Sequence, residues 1–67
     1  MTDKMNFAVF CLESYKLAHN LKGKDVIEIF IQYKVFDYIK SFFDVLHSTG
    51  RKYIVNDLDI YINSRQN

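Results

Sequence analysis

Residues 5–19 constrain the fold most, because they carry apolar side chains around most of a helical circumference. At the helical spacing of about 100° per residue, Met5, Val9 and Leu12 fall in one row. A second row lies on a different side of the same helix and contains Phe7, Phe10, Cys11, Ser14 and Ala18. A helix with so narrow a polar strip is expected to be covered by several neighbours, from its own chain or from a second copy.

The shortness of the chain limits the core that it can build. The 67 residues are expected to form a single small helical domain, 1–67, and a chain of this size buries only about 60% of the surface that its unfolded state exposes. Cys11 is the single cysteine and cannot form an internal disulfide, and one Cys with two distant His residues is a weak metal set. We therefore expect no cofactor, and a homo-oligomer or a small protein partner as the remaining support.

The chain is predicted to fold as an all-α, compact bundle of about four short helices. Asn20 and Gly23 predict the end of the first helix, since both residue types tolerate the left-handed conformation found there. Asp37 is the predicted N-cap of the third helix, and Asn56 is the predicted N-cap of the fourth. The predicted helices cover residues 3–20, 24–34, 37–48 and 56–65.

Residues 27–35 fit two interpretations. Apolar residues recur at every second position, as in a strand, and an α+β alternative would place a small hairpin at 27–35 and 53–62. Val26 and Phe30 also follow helical spacing, and Asp25 is favourable near a helix N-terminus. No turn residue separates this run from a second strand, so the helical interpretation is predicted.

The charge pattern argues against nucleic acid and membrane partners. Nine Lys or Arg and eight Asp or Glu are scattered along the chain, giving a net charge of +1 and no basic stripe. No apolar run is long enough to span a bilayer and no signal-peptide pattern is present, so a cytoplasmic location is predicted by default. Arg51 and Lys52 follow a helix and leave a small DNA-binding regulator as the alternative function.

Catalysis is not predicted. Asp44, His47 and Arg51 form a candidate polar cluster, because an Asp and a His three residues apart meet on a helix. The cluster has no nucleophile with a partnered base and no oxyanion donors, so a helix-end role is predicted for it. Cys11 and His19 are eight residues apart, or about 12 Å along a helix, so Cys11 is predicted to be buried and structural.

The aromatic residues are the stronger functional signal. Six Phe and five Tyr are too many for all of them to be central in so small a domain. Two interpretations fit: a wide core in which Tyr hydroxyls reach water, and an interface, since Tyr and Phe are enriched where proteins bind each other; the interface is predicted. The candidate contact residues are Phe7, Phe10, Tyr33 and Phe43.

Five segments occur in an order that covers almost the whole chain. They are Phe10-Cys11-Leu12-Glu13-Ser14-Tyr15, Gly23-Lys24, Val35-Phe36-Asp37-Tyr38-Ile39, Asp44-Val45-Leu46-His47-Ser48-Thr49-Gly50 and Tyr53-Ile54-Val55-Asn56-Asp57-Leu58. In this order they resemble a family of short bacterial domains of unknown function. The sequence departs from that pattern at Lys34, where a Gly is usual.

The resemblance implies a small, mostly helical bacterial accessory protein. Genes of this kind are often small partners in two-gene cassettes, some beside ADP-ribosyltransferase-like neighbours, which implies an antitoxin-like role. Together with the aromatic surface, the sequence predicts a noncatalytic protein–protein interaction module.

Overall fold

The computed structural model describes residues 3–66, and all regular secondary structure in this range is helical. They are α1 (Asp3–His19), α2 (Gly23–Gln32), α3 (Val35–Ser41), α4 (Phe43–Leu46) and α5 (Arg51–Arg65). The predicted all-α class is confirmed, and the α+β alternative is wrong for the described part of the chain, since both segments of the proposed hairpin are helical. None of the helices in this range is both long enough and apolar enough to cross a membrane.

Helix α1 lies at the centre of the bundle and packs against α2, α3 and α5. Its inward face buries Cys11, Ser14 and Tyr15, so the predicted burial of Cys11 is confirmed. Ser14 is tolerated there because its hydroxyl donates a 2.7 Å hydrogen bond to the carbonyl of Phe10. The remaining core side chains come from every other helix and are Val26, Phe30, Val35, Ile39, Leu46, Ile54, Leu58 and Ile62.

Helix α2 explains why residues 27–35 resemble a strand in sequence. Val26 and Phe30 are buried one helical turn apart, while Ile27 and Ile31 are exposed on another face with the same spacing. Because apolar residues lie on two faces of this helix, the sequence shows an alternation of apolar and polar residues like that of a strand. The helical prediction for this segment is confirmed as far as Gln32.

Asn20 ends α1 in the left-handed conformation, with φ at 53°. The Leu21 N–H bonds to the Lys16 carbonyl at 3.0 Å, and the Asn20 N–H approaches the Leu17 carbonyl at 3.4 Å. These two bonds form a Schellman motif. Gly23, also predicted as part of this stop, is instead the first residue of α2 and has no positive φ.

Lys34 makes the second left-handed turn, between α2 and α3, with φ 56° and ψ 40°. It is the position at which the resemblance leads us to expect Gly. A residue with a Cβ is strained in this conformation by about 1–2 kcal/mol. The strain is opposed locally, because the Tyr61 hydroxyl donates to the Tyr33 carbonyl at 2.9 Å and lies 3.4 Å from the Lys34 carbonyl.

The predicted helix at residues 37–48 is divided. Lys34, not Asp37, is its N-cap, and α3 ends before Phe42, where φ is −111° and ψ is 25°. Phe43 then begins α4 and packs its ring against Phe7 of α1. This contact between distant parts of the chain outweighs local helix propensity and has no signature in the sequence around it.

The last helix begins five residues earlier than predicted. Its N-cap is Gly50, whose carbonyl accepts the N–H of Ile54 at 3.0 Å, and Asn56 is an exposed residue inside the helix. Ile54, Leu58 and Ile62 are buried at i, i+4 and i+8, so the stripe that docks α5 starts before Asn56. Burial of this stripe outweighs the capping preference of Asn56.

Candidate protein-binding surfaces

The structure brings together three of the four predicted contact residues. Phe7 and Phe10 are stacked with ring centroids 6.1 Å apart, and Phe43 meets Phe7 edge-on at 5.5 Å. Phe7 packs against the core, whereas Phe10 keeps 37% of its surface exposed. Both pairs lie in the distance range of favourable aromatic contacts. The three rings form one patch where the N-terminal half of α1 meets α4.

Three basic side chains surround this patch. The Lys4 ammonium nitrogen lies 5.9 Å from the centre of the Phe43 ring, and the Arg51 guanidinium lies 5.2 Å from the centre of the Phe10 ring. His47 stacks on Phe43 at 4.5 Å with the rings almost parallel, and its Nδ1 donates to the Phe43 carbonyl at 2.8 Å. We call this group the aromatic–cation cluster; it comprises Lys4, Phe7, Phe10, Phe43, His47 and Arg51.

The two candidate sets from the sequence therefore overlap in space, with one member of each left outside. Asp44 is exposed, and no ion pair between described residues joins it to His47 or Arg51. Tyr33 belongs to a different part of the molecule, at the end of α2. Lys4 was missed by sequence reasoning, since nothing in the N-terminal residues indicates that they reach α4.

Tyr33 contributes to a seam of hydrogen-bonded tyrosines between α2, α3 and α5. The Tyr38 hydroxyl donates to an Asp57 carboxylate oxygen at 2.5 Å, and the Tyr38 and Tyr61 rings stack at 4.2 Å. Burial, followed by the hydrogen bond to Asp57, raises the pKa of Tyr38 to about 12. Tyr33, Tyr38, Tyr61 and Asp57 form what we call the tyrosine seam, which ties the chain to itself.

The buried thiol is poorly suited to nucleophilic chemistry. Cys11 is fully buried, and desolvation raises its pKa to about 12, so the thiol is neutral near pH 7.

His19, at the C-terminal end of α1, contacts Asp59 of α5. Its Nε2 is 2.8 Å from Asp59 Oδ1, and its ring centroid lies 4.3 Å from that of Tyr15. Burial and the nearby Asp59 carboxylate raise the pKa of Tyr15.

A groove of about 690 Å³ lies on the surface where α1 packs against α2 and α3. Its apolar surface includes Val9, which is 57% exposed, and Ile27, which is 42% exposed. Lys4 and Lys40 also line it, and both are exposed. We call it the lysine-rimmed groove; its full lining is Lys4, Met5, Ala8, Val9, Leu12, Ile27, Phe36, Ile39 and Lys40.

A second groove, the α1–α5 groove, lies on another side of α1 and has a volume of about 630 Å³. Leu17 lines it with 64% of its surface exposed. Unlike the lysine-rimmed groove, it contains charges of both signs, from Arg51, Lys52 and Asp59. Helix α1 therefore faces an open apolar surface on two sides in addition to the core.

Comparison with known proteins gives one match. Neither the curated proteins nor the solved structures contain a match to this sequence. A model of a protein family of unknown function, DUF3791, matches residues 6–65. The match covers the five segments on which the resemblance to a family of unknown function rests, together with all of α2 to α5. The chain belongs to the DUF3791 family.

Proposed function

We propose that this chain is a noncatalytic protein–protein interaction module. The observation that carries the proposal is the exposure of Val9 and Leu17, at 57% and 64%, on two sides of the helix that also forms the centre of the core. Each lines a groove rather than standing alone, and a groove with an exposed apolar side chain can bury an apolar anchor of a partner. Binding a partner would also add apolar burial to a fold that has little of its own.

The chemistry of the polar side chains supports a noncatalytic role. Cys11 is buried and protonated, and His47 is held against Phe43 by stacking and by a hydrogen bond. His19 has a carboxylate partner, Asp59, but no hydroxyl or thiol nucleophile is hydrogen-bonded to it among residues 3–66. Catalysis of acyl or phosphoryl transfer requires groups arranged around a reacting atom, and these side chains are committed to the fold.

The more specific proposal is an antitoxin-like accessory role in a bacterial two-gene cassette, in the cytoplasm. It is supported by the resemblance described above, and it assigns the partner to the product of the neighbouring gene. Co-expression of both genes with an affinity tag on this chain tests it. We expect the neighbouring product to co-purify in a fixed ratio, measured by light scattering.

One outcome of this experiment would contradict the proposal. A chain that is folded by circular dichroism, monomeric across a concentration series, and purified without the co-expressed neighbour would contradict the specific role. If it also retains no protein from extracts of its native cell, the interaction function itself is overturned.

A small DNA-binding regulator is the second candidate. Arg51 and Lys52 are both exposed at the start of α5, where cations could reach phosphates. Arg51, however, is already placed over the Phe10 ring. Two cations in a chain of net charge +1 give little nonspecific affinity, so this candidate is ranked below protein binding.

A further inference from the structure

The lysine-rimmed groove has the dimensions of a two-turn helix contact. Along α1 its lining runs from Lys4 to Leu12, and the apolar part of this lining, from Met5 to Leu12, is about 10 Å long at 1.5 Å per residue. A partner helix presents side chains at i, i+3 or i+4, and i+7 over the same distance. Ile27 and Phe36 supply the opposite wall from α2 and α3. An amphipathic helix therefore fits the groove in length and in apolar character.

The positive charges of the groove favour a partner that carries negative charges beside its apolar side chains. Lys4 and Lys40 are the charged members of its lining, and no acidic residue lines it. Within residues 3–66 neither Lys4 nor Lys40 forms an ion pair, and the Lys4 ammonium nitrogen lies 5.9 Å from the centre of the Phe43 ring. Two exposed ammonium groups beside an apolar floor complement a helix whose flanks carry carboxylates.

A second copy of the chain is a poorer occupant. In a two-fold symmetric dimer the same patch occurs on both copies, so four lysines would be gathered at one interface with no acidic residue in the lining of either groove. Like charges brought together at an interface oppose association. A contact between this groove and a different surface of a second copy is heterologous, so it would build a ring or a filament rather than a dimer.

A small molecule is also a poorer occupant. Ligand sites combine an apolar pocket with a few polar groups placed to fix orientation, and they enclose most of the ligand. The lining of this groove is apolar apart from its two exposed lysines, so it offers no set of converging polar groups to orient a small molecule. Its shape and chemistry suit a helix surface, which needs apolar anchors and charge at the edges.

We propose that the lysine-rimmed groove binds an amphipathic helix of another protein, with apolar side chains at i, i+3 or i+4, and i+7, and with Asp or Glu on its flanks. This inference rests on the protein-binding function proposed above. It adds the site, the secondary structure of the bound segment and the sign of its charge.

A displayed peptide library tests the proposal on the full chain. The library contains helical peptides of about 14 residues, with Leu, Ile or Phe fixed at three anchor positions and with acidic, basic and neutral residues varied elsewhere. We expect peptides selected on the wild-type chain to be enriched in Asp and Glu over Lys and Arg, relative to the unselected pool. Val9→Glu, which places a charge on the groove floor, should weaken their binding about 10-fold or more.

Leu17→Glu is the matched control, because it introduces the same charge on the same helix but in the α1–α5 groove. It should change binding by less than about twofold, since it lies outside the contact. The double variant Lys4→Glu and Lys40→Glu alters charge without altering the apolar floor, and it should select basic peptides instead. Circular dichroism and thermal melts confirm that each variant is folded.

Four results would overturn this inference. The first is that the selected peptides are not enriched in acidic residues, and the second is that Leu17→Glu abolishes binding while Val9→Glu does not. The third is a concentration-dependent dimer that Val9→Glu abolishes, and the fourth is a library that yields no binder. In the first two the chain still binds peptides, so the proposed function survives. The proposed function fails separately, when the chain is monomeric and neither the neighbouring product nor any cellular protein co-purifies.

Discussion

An arginine lies over an aromatic ring at each end of α5, but the two rings are held in different ways. Arg51 is 5.2 Å from the centre of the Phe10 ring, and Arg65 is 4.9 Å from the centre of the Tyr61 ring. The Tyr61 hydroxyl donates to the Tyr33 carbonyl, while Phe10 has only packing and the cation to hold it. The aromatic–cation cluster and the tyrosine seam therefore contain similar rings with different constraints.

This difference distinguishes the tyrosine seam, which stabilises the fold, from the aromatic–cation cluster, which is available to a partner. Hydrogen bonds are directional and leave a buried donor or acceptor unsatisfied when they are broken, so the tyrosine seam resists rearrangement. Contacts between phenylalanine rings and cations can be exchanged for similar contacts with another protein. We expect substitutions in the tyrosine seam to affect stability, and substitutions at Phe10 to affect association.

Phe7→Ala is expected to have the largest effect. Phe7 was predicted as a contact residue, but its ring packs against the core as well as against Phe10 and Phe43. Its removal should lower the free energy of unfolding by about 3 kcal/mol, through lost apolar burial and the cavity left behind. Urea denaturation followed by circular dichroism measures this change.

Phe10→Ala is the control within the same cluster. Phe10 is 37% exposed, so its loss should cost about 1 kcal/mol of unfolding free energy while weakening association. Equal destabilisation by the two substitutions would show that the cluster is core throughout, and the contrast with the tyrosine seam would disappear.

Tyr38→Phe should cost about 1–2 kcal/mol, because it removes the hydroxyl that bonds to Asp57. The effect should depend on pH. The pKa of Tyr38 is raised from 10.0 to about 12 in the folded chain, so its contribution is complete below pH 10 and is lost as the pH rises toward 12. Thermal melts between pH 8 and pH 11, at intervals of about one unit, should show an alkaline loss, that is, a fall in melting temperature at high pH. This loss should be smaller in the variant than in the wild type.

Part of that alkaline loss should remain in the variant. Burial also raises the pKa of Cys11 and of Tyr15, so both groups continue to favour the folded state until they ionise. An alkaline loss unchanged by Tyr38→Phe would contradict the role assigned to the hydrogen bond between α3 and α5.

Lys34→Gly should stabilise the fold by about 0.5–1 kcal/mol, since Gly adopts the left-handed conformation without strain but loses more entropy on folding. The turn supports the tyrosine seam, because the neighbouring Tyr33 carbonyl accepts the Tyr61 hydroxyl. The midpoint of urea denaturation reports the gain. Asn20→Gly is the matched control at φ 53°, where the gain should be smaller because Asn tolerates this conformation.

The double variant Arg51→Ala and Lys52→Ala is expected to have the smallest effect. With balanced charge, binding of random duplex DNA should be weaker than about 10⁻⁵ M at physiological salt, before and after the change. Stability should fall by only about 0.5 kcal/mol from loss of the cation over Phe10. Fluorescence anisotropy with labelled duplexes tests the first expectation, and tight, sequence-selective binding abolished by this variant would place DNA regulation ahead of protein binding.

The helices of this chain could be predicted better than their boundaries. Helical spacing at Val26 and Phe30 identified α2 because local periodicity survives in the fold. The start of α5 was missed because Asn56 has a cap preference, while Ile54 gains its burial only through packing against the rest of the bundle. The break at Phe42 has the same origin, since the Phe7–Phe43 contact joins residues far apart in sequence.

The candidate surfaces were only partly accessible from sequence. Excess aromatic content pointed to Phe7, Phe10 and Phe43, and the structure places these rings together. The lysine-rimmed groove could not be derived in this way, because its lining comes from three helices and its charge depends on how they are oriented. Tyr33 stays a predicted contact residue; the structure adds that its backbone carbonyl accepts the Tyr61 hydroxyl, a contact between residues 28 positions apart that sequence does not show.

The burial of Cys11 gives the molecule an internal reporter of opening. A thiol with no exposed surface and a pKa of about 12 reacts with an alkylating reagent only when α1 moves away from its neighbours. It is also the only cysteine in the chain, so each alkylation event corresponds to one opening event. A partner that binds the closed form slows the reaction by the factor 1 + [L]/Kd, where [L] is the free partner concentration, which makes binding measurable without labelling either protein.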